Sequence, residues 1–168
     1  MATFRRRLIR EKVLQVLYAY EISKEPLPFI EEQQLGELKE NPQEFQFAHE
    51  LIKFTTENRE EIDTCIKSKI DNWEFDRVAL IDKIILRIGI CELLYFPDIP
   101  PKVTINEAIE IGKIFSTDNS SQFINGVLDS IHNDLKVAKR IHKTGRGLVN
   151  EGLTPKETDS SRKSHKKQ

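Results

Sequence analysis

The sequence has 168 residues, a formal net charge of −1 and 38% hydrophobic residues, which suits one soluble domain with its own core. It contains no apolar run long enough to cross a membrane and no signal-peptide layout, so we expect a cytoplasmic protein. Cys65 and Cys91 lie far apart and fit no metal-ligand or redox spacing, which indicates free thiols and excludes a disulfide scaffold.

The charge is unevenly distributed along the chain. Residues 1–12 carry five Arg or Lys against one Glu, and residues 139–168 carry nine Arg or Lys against three acidic residues. The middle of the chain is therefore acidic. This polarity favours a phosphate-bearing partner at one place and a basic protein partner at another.

The first predicted helix runs from about Thr3 to Ile22 and is amphipathic, with Arg6, Arg7 and Arg10 on its polar side. Cations at a helix N-terminus oppose the helix dipole, so this is a locally unfavourable place for arginines. Either a ligand uses them or they form a solvated end of the chain. The residues alone leave both interpretations open.

Three more helices are predicted before the middle of the chain. A weak one covers about Pro28 to Lys39, and a stronger one runs from Pro42 to Thr56 behind the capping residue Asn41. Asn58 is predicted to cap the third helix. After it, Trp73 and Phe75 are expected to fill a corner of the core.

The segment from Asp76 to Phe96 is predicted to be the central helix, because 14 of its 21 residues are apolar. Its polar residues fall on two stripes, which we interpret as two solvent-facing lines on a helix that is otherwise surrounded by other helices. The stripes contain Asp76, Lys83 and Arg87 in one and Asp82, Gly89 and Glu92 in the other.

Three prolines between Phe96 and Pro101 end the central helix. Thr104 and Glu107 have the spacing of a capping box, which predicts a helix over 105–115. A polar link over 116–120 precedes a last helix that ends near Leu135. Beyond Ala138 the apolar pattern stops, so we expect a helical domain over 1–138 and a flexible basic tail over 139–168.

Motifs of enzyme chemistry are missing from the sequence: it has no glycine-rich phosphate loop, no CxxC, no HExxH and no GxSxG. Glu107 and Glu110 could be imagined as an acid and a base, but their positions favour a solvated helix side. We therefore expect no enzymatic activity, no cofactor and no metal site.

The polar link offers a candidate ligand site. The amides after Asn119 open a helix and could bind an anion, and Phe123 lies one turn further on. Its ring could stack on an unpaired base or belong to the core, and the apolar periodicity slightly favours the core.

Four blocks of the sequence, in order, resemble the NusB family of bacterial transcription antitermination factors. They are Arg5-Arg6-Arg7-x-x-Arg10-Glu11 with Leu14-Gln15-x-Leu17-Tyr18, Ile81-Asp82-Lys83-x-x-Leu86-Arg87-Ile88 with Glu92-Leu93, Ile99-Pro100-x-Lys102-Val103-x-Ile105-Asn106-Glu107-Ala108-Ile109-Glu110, and Ser120-x-x-Phe123-Ile124-Asn125-Gly126-Val127-Leu128. The resemblance implies an all-α fold of about seven helices in two packed sub-bundles. It also implies a non-catalytic protein that binds single-stranded boxA RNA.

The resemblance implies partners and site residues as well. The expected protein partners are the ribosomal small-subunit protein NusE and the transcription elongation complex with other Nus factors. The implied RNA-binding residues are Arg5, Arg6, Arg7, Arg10, Asp118, Asn119, Ser120, Gln122 and Phe123, and the implied contacts to NusE are Asp82 and Tyr18.

Two residues depart from the family pattern, and other functions stay open. Ser116 stands where the family usually has glycine, and Cys91 replaces a common tyrosine. One alternative is a stand-alone RNA-guiding module related to the N-terminal domain of ribosomal RNA methyltransferases. Another is a homodimer that masks its RNA site.

Overall fold

The computed structural model describes the backbone of residues 2–148 and the side chains of residues 5–148. Within this range the chain forms eight α-helices and two short 3-10 helices, at Gly36–Glu40 and Gly145–Leu148. The α-helices are α1 (Ala2–Ser23), α2 (Leu27–Leu35), α3 (Pro42–Glu57), α4 (Arg59–Lys67), α5 (Asn72–Arg77), α6 (Leu80–Tyr95), α7 (Pro101–Phe115) and α8 (Asp118–Val137). The sequence predicts all of them except the six-residue α5.

The helices pack as two sub-bundles, and α6 contacts helices of both. Helices α1, α2 and α3 form the first, and α6, α7 and α8 form the second. Helix α6 also contacts α1, α3 and α4, so it lies in the middle of the domain. The predicted all-helical architecture and the central position of this segment are both confirmed.

The central helix is shorter than predicted at its start. Asp76 and Arg77 belong to α5, and Val78 and Ala79 adopt extended backbone angles before α6 begins at Leu80. The apolar residues Val78 and Ala79 continue the hydrophobic run, so composition alone could not mark this break. The corner directs the chain from α5 into the core.

The interpretation of two solvent-facing stripes on α6 is wrong. Asp82, Arg87 and Glu92 are all buried, and each is held by a residue on another helix. Arg87 shows the pattern: its Nε and Nη2 donate to the two carboxylate oxygens of Asp63 on α4, at 2.7 and 3.1 Å. Buried charges need such partners because desolvation is otherwise costly. The polar stripes are therefore contacts between helices.

Helix α7 begins four residues before the predicted 105–115 segment. Pro101 occupies the first helical turn, where the missing N–H and the fixed φ of proline are tolerated. Thr104 is consequently inside the helix and buried, and its hydroxyl donates to Glu92 Oε1 at 3.3 Å. The predicted capping box of Thr104 and Glu107 is wrong.

Two local predictions around α4 and α5 also need correction. Phe75 is buried as expected, but Trp73 is 58% exposed and does not fill the corner. The Asn58 side chain does not cap α4; its Nδ2 donates to the carbonyl of Phe54 at 2.9 Å and so satisfies the end of α3.

The chain beyond Ala138 folds back onto the end of α6. The Lys143 ammonium donates to the carbonyls of Glu92 and Phe96, at 3.0 and 2.8 Å, and the Thr144 amide donates to Pro97 O at 2.9 Å. The predicted start of the tail at residue 139 is therefore wrong, because 139–148 belong to the fold. Residues 149–168, the rest of the predicted tail, lie outside the described residues.

Candidate nucleic-acid interface

The arginine run at the start of α1 divides into buried and exposed members, and Arg10 is the most buried. Its Nε and Nη2 donate to Glu92 Oε2 and Oε1 at 2.9 and 2.6 Å, with 2% and 1% of the two side chains exposed. Burial lowers the pKa of Arg10, but the Glu92 charge and hydrogen bonds outweigh it and raise the pKa overall. The expectation that Arg10 contacts RNA phosphates is wrong, because the guanidinium is enclosed.

Arg7 also serves the fold. Its Nε and Nη2 donate to Glu107 Oε2 and Oε1 at 2.9 and 3.0 Å, which ties the start of α1 to α7. These hydrogen bonds raise the pKa of Arg7. Because the arginine is partly exposed while Glu107 is buried, the pair fixes the position of the N-terminal turn beside α7. The sequence suggested that Glu107 lies on a solvated helix side. That expectation is wrong, because Glu107 is buried.

Arg5 and Arg6 are the arginines of this run that remain exposed. Arg5 Nε lies 2.9 Å from Glu44 Oε1 with 65% of its side chain open to solvent, and such surface pairs contribute little. The Arg6 guanidinium carbon lies 4.4 Å from the centroid of the Phe47 ring. This contact positions the cation without neutralising it. Both groups can therefore reach an anionic ligand.

The link between α7 and α8 is held by a chain of hydroxyl groups. Thr117 caps α8, since its Oγ1 accepts from the Ser120 amide at 3.1 Å. Ser116 Oγ and Thr117 Oγ1 both donate to Ser120 Oγ, and Ser120 Oγ donates to Asp82 Oδ2 at 2.8 Å. The serine that replaces the family glycine at position 116 thus adds a hydrogen bond to the link.

The remaining candidate residues of the link differ in exposure. Asp118, Asn119 and Gln122 are exposed, whereas Ser120 is half-buried because its hydroxyl faces Asp82. Phe123 is half-buried and packs against the hydrophobic core. Much of the Phe123 ring therefore belongs to the core, and the rest of the ring stays accessible at the surface.

Asp82 does not lie on an open surface as the sequence suggested. Only 6% of its side chain is exposed; Oδ2 accepts from Ser120, while the buried Oδ1 has no hydrogen-bond partner. The carboxylate sits in the first turn of α6, where the helix dipole favours a negative charge. By accepting from Ser120, Asp82 stabilises the link between α7 and α8. Tyr18, the other expected contact to a protein partner, is 40% exposed on α1.

Helix α7 connects the two candidate regions. Arg7 is bonded to Glu107 in the middle of α7, and the link begins at Ser116, directly after the helix. Nine residues separate these positions, which corresponds to about 14 Å along the helix axis. Lys113 and Ile114 are exposed between them. The two regions are therefore separate contacts joined by one helix.

Sequence reasoning missed the residues that organise this site. Glu92 and Glu107 receive the two inward arginines, and Ser116 supports Ser120. A signal was present, because arginines at helical spacing on a half-buried helix require carboxylates somewhere in the core. Periodicity could not say which carboxylates, since Arg10 and Glu92 are 82 positions apart.

No group of three or more His, Cys, Asp or Glu residues among residues 5–148 could hold a metal ion. None of the helices in that part is long and apolar enough to cross a membrane.

The fold and the site define an all-α protein of two sub-bundles with exposed arginines and a polar helix start at its surface. The sequence profile of the NusB family matches residues 7–133. The chain belongs to the NusB family.

Known relatives agree with this assignment. The chain is 48% identical to the transcription antitermination protein NusB of Chloroherpeton thalassium, over 86% of this chain and 69% of that protein. A crystal form of T. maritima NusB superposes with a TM-score of 0.72 at 37% identity, covering 77% of this chain and 91% of that one. A structure of the antitermination factors NusB and NusE in complex with dsRNA has a TM-score of 0.70 at 23% identity, covers 77% of this chain and 97% of that one, and shares the fold.

Proposed function

We propose that the protein is a non-catalytic transcription antitermination factor that binds single-stranded boxA-type leader RNA together with NusE. In this role it supports read-through of ribosomal RNA operons within an elongation complex that contains other Nus factors. The observation that carries the proposal is the division of the arginine run. Arg7 and Arg10 fix α1 against α7 and α6, and this holds Arg5 and Arg6 at the surface as exposed cations.

Electrostatics explain why the exposed pair suits RNA. Two cations at a helix N-terminus are unfavourable for the helix itself, and a phosphate placed between them would remove that cost. The first two amides of α8, those of Asp118 and Asn119, add a second favourable place for a phosphate, beside the exposed side chains of Asn119 and Gln122. The separation of about 14 Å along α7 suits an extended strand better than a compact anion.

A protein partner is supported by the outer face of α1. Tyr18 and Ile22 are exposed four residues apart, on neighbouring turns of one helix side, and Leu8 is exposed almost three turns earlier on the same side. Exposed apolar and aromatic residues of this kind typically mark a protein contact. The relative of the same fold that is known in complex with NusE and dsRNA supports NusE and RNA as the partners here.

The salt dependence of RNA binding tests the arginine assignment. If Arg5 and Arg6 each neutralise one phosphate, the affinity for a single strand should fall about 7-fold between 50 and 200 mM salt. Arg5→Ala and Arg6→Ala should each reduce the slope of log affinity against log salt by about 0.7. Fluorescence anisotropy with labelled boxA-type RNA measures this.

Two controls define the outcome of that titration. Lys136→Ala removes an exposed charge in the last turn of α8, roughly 24 Å along the helix from Ser120, and should leave the slope unchanged. A scrambled strand should bind more weakly than the boxA-type strand, and more so when NusE is present. Equal slopes for Arg6→Ala and the unmodified protein would refute the assignment.

A further inference from the structure

Trp73 is the most conspicuous exposed side chain outside the interface described above. It is the single tryptophan of the sequence, it lies on the short helix α5, and 58% of it is open to solvent. The Arg77 guanidinium carbon, one turn further along α5, lies 5.3 Å from the centroid of the Trp73 ring. A large aromatic ring left at the surface with a cation beside it points to a ligand.

Two more cations surround the neighbouring ring. Lys67 Nζ and Lys83 Nζ lie 4.8 and 4.6 Å from the centroid of Phe75. Among the described residues, neither lysine has a carboxylate at ion-pair distance, and Arg77 has none either. We name the set of Lys67, Trp73, Phe75, Arg77 and Lys83 the aromatic-cationic patch. Its three positive charges rest on aromatic rings, so they are positioned but not neutralised.

The patch adjoins the start of α8. Lys83 directly follows Asp82, and Asp82 accepts the hydrogen bond from Ser120 in the first turn of α8. Lys83 is therefore the next residue along α6 after the carboxylate that accepts from the polar link. Lys83 Nζ in turn lies over the ring of Phe75, on the same short helix that carries Trp73.

We propose that the aromatic-cationic patch is a further contact surface for single-stranded RNA, on which Trp73 stacks against an unpaired base and the three cations contact phosphates. The inference rests on the proposed function, since it extends the path of the same strand. Sites for single strands combine cations that follow the backbone with rings that stack on bases. Two acidic residues of α5 oppose this in part: Glu74, which accepts the Asp71 amide at 3.2 Å, and Asp76, which is exposed.

The intrinsic fluorescence of the protein reads this surface directly, because Trp73 is the only tryptophan. The full chain is titrated with two unlabelled strands, a short boxA-type RNA and the same RNA extended at either end. Anisotropy of labelled versions reports binding in parallel. Stacking of a base should quench Trp73 fluorescence with the extended RNA, over the concentrations at which anisotropy rises.

Variants separate stacking from folding. Trp73→Ala should weaken binding of the extended RNA roughly 5- to 150-fold and leave the short strand unaffected, while Trp73→Phe retains part of the effect. Lys83→Gln should reduce the salt slope for the extended strand only. Lys136→Ala serves as the matched control for a surface charge, and circular dichroism confirms that each variant is folded.

The outcomes distinguish this inference from the proposed function. If neither strand binds in the anisotropy assay, the proposed function fails and the inference fails with it. If both strands bind but Trp73 fluorescence stays constant and Trp73→Ala binds as the unmodified protein does, the inference alone is overturned. If NusE without RNA changes the fluorescence and RNA does not, the patch docks protein and the inference is likewise overturned.

Discussion

The Arg10 guanidinium and the Glu92 carboxylate form a bidentate pair in the centre of the domain, joining the first helix to the central one. Arg10 also lies 5.4 Å from the Phe47 ring on α3, and Glu92 accepts from Thr104 on α7. One ion pair therefore touches four helices from both sub-bundles. Its geometry holds α1 in place and thereby decides which arginines of the terminal run face outward.

Removing one member of this pair should strongly destabilise the fold. Arg10→Ala leaves the Glu92 carboxylate buried without its cation, so we expect a loss of about 3–5 kcal/mol in the free energy of unfolding. Replacing both residues by methionine should recover most of that loss, because no buried charge remains. Urea denaturation of Arg10→Ala and of the double methionine variant measures this. A stable Arg10→Ala protein with a reduced salt slope for RNA would instead restore Arg10 as a phosphate contact.

The hydrogen bond between Ser120 and Asp82 should stabilise the start of α8. Ser120→Ala removes the hydrogen bond to the one Asp82 oxygen that has a partner, so we expect about 1–3 kcal/mol of destabilisation. A double-mutant cycle with Asp82→Ala should show coupling, since the two residues interact directly. Ser116→Gly, which restores the family residue, should cost less because Thr117 still caps the helix. Additive effects of Ser120→Ala and Asp82→Ala would show that the hydrogen bond contributes nothing.

Two glycines offer a matched test of helix packing. A Cβ added at Gly89 would lie 3.0 and 3.1 Å from the two Cδ atoms of Leu128, whereas one added at Gly126 meets nothing within 4 Å. Gly89→Ala should therefore destabilise by about 1–3 kcal/mol through overpacking between α6 and α8. Gly126→Ala should stabilise by roughly 0.5–1 kcal/mol, because alanine is the better helix former. Thermal unfolding of both variants checks the opposite signs, and two shifts of the same sign would contradict the prediction.

Helix positions could be predicted from the sequence, while the partners of polar residues could not. The spacing of apolar residues in α6 and α8 depends only on local geometry, so it identified both helices. Arg87 and Glu92 looked solvent-facing by the same criterion, because periodicity cannot distinguish a charge that meets water from one that meets a charge on another helix. The burial of Trp73 was predicted wrongly for a related reason. Its hydrophobicity favours burial, but on the short helix α5 it is Phe75 that faces inward.

The candidate site shows the same difference: the sequence predicts which positions lie on a helix surface but not which polar residues pair across the fold. The exposed positions Arg5, Arg6, Asn119 and Gln122 could be named from the family resemblance of the sequence. The sequence could not distinguish the buried Arg10 from the exposed arginines, because neighbouring turns of one helix can carry both a surface cation and a core cation. Only the long-range pairing with Glu92 makes that distinction.

Lys143 should make the stability of the protein rise with pH in the mildly alkaline range. Burial lowers its pKa from 10.5 to about 8, and the nearby carboxylates of Glu92 and Asp98 offset only part of this effect. Between about pH 8 and 10.5 the unfolded chain holds a proton that the folded chain has released, so raising the pH favours the folded state. Below about pH 8 Lys143 is protonated in both states, so it contributes no dependence of stability on pH there.

Lys143→Met isolates this contribution. Cys91 and Tyr95, whose pKa values burial raises to about 12, destabilise the fold at high pH in both proteins, so they cancel in the comparison. The unfolding free energy of the unmodified protein, relative to Lys143→Met, should therefore increase from pH 7 to pH 10. Urea titrations at several pH values measure the difference. A flat difference would mean that the ammonium is solvated and does not hold residues 139–148 against the end of α6. A difference that falls with pH would mean that the carbonyls of Glu92 and Phe96 raise the pKa of Lys143 above its unfolded value, which also contradicts the prediction.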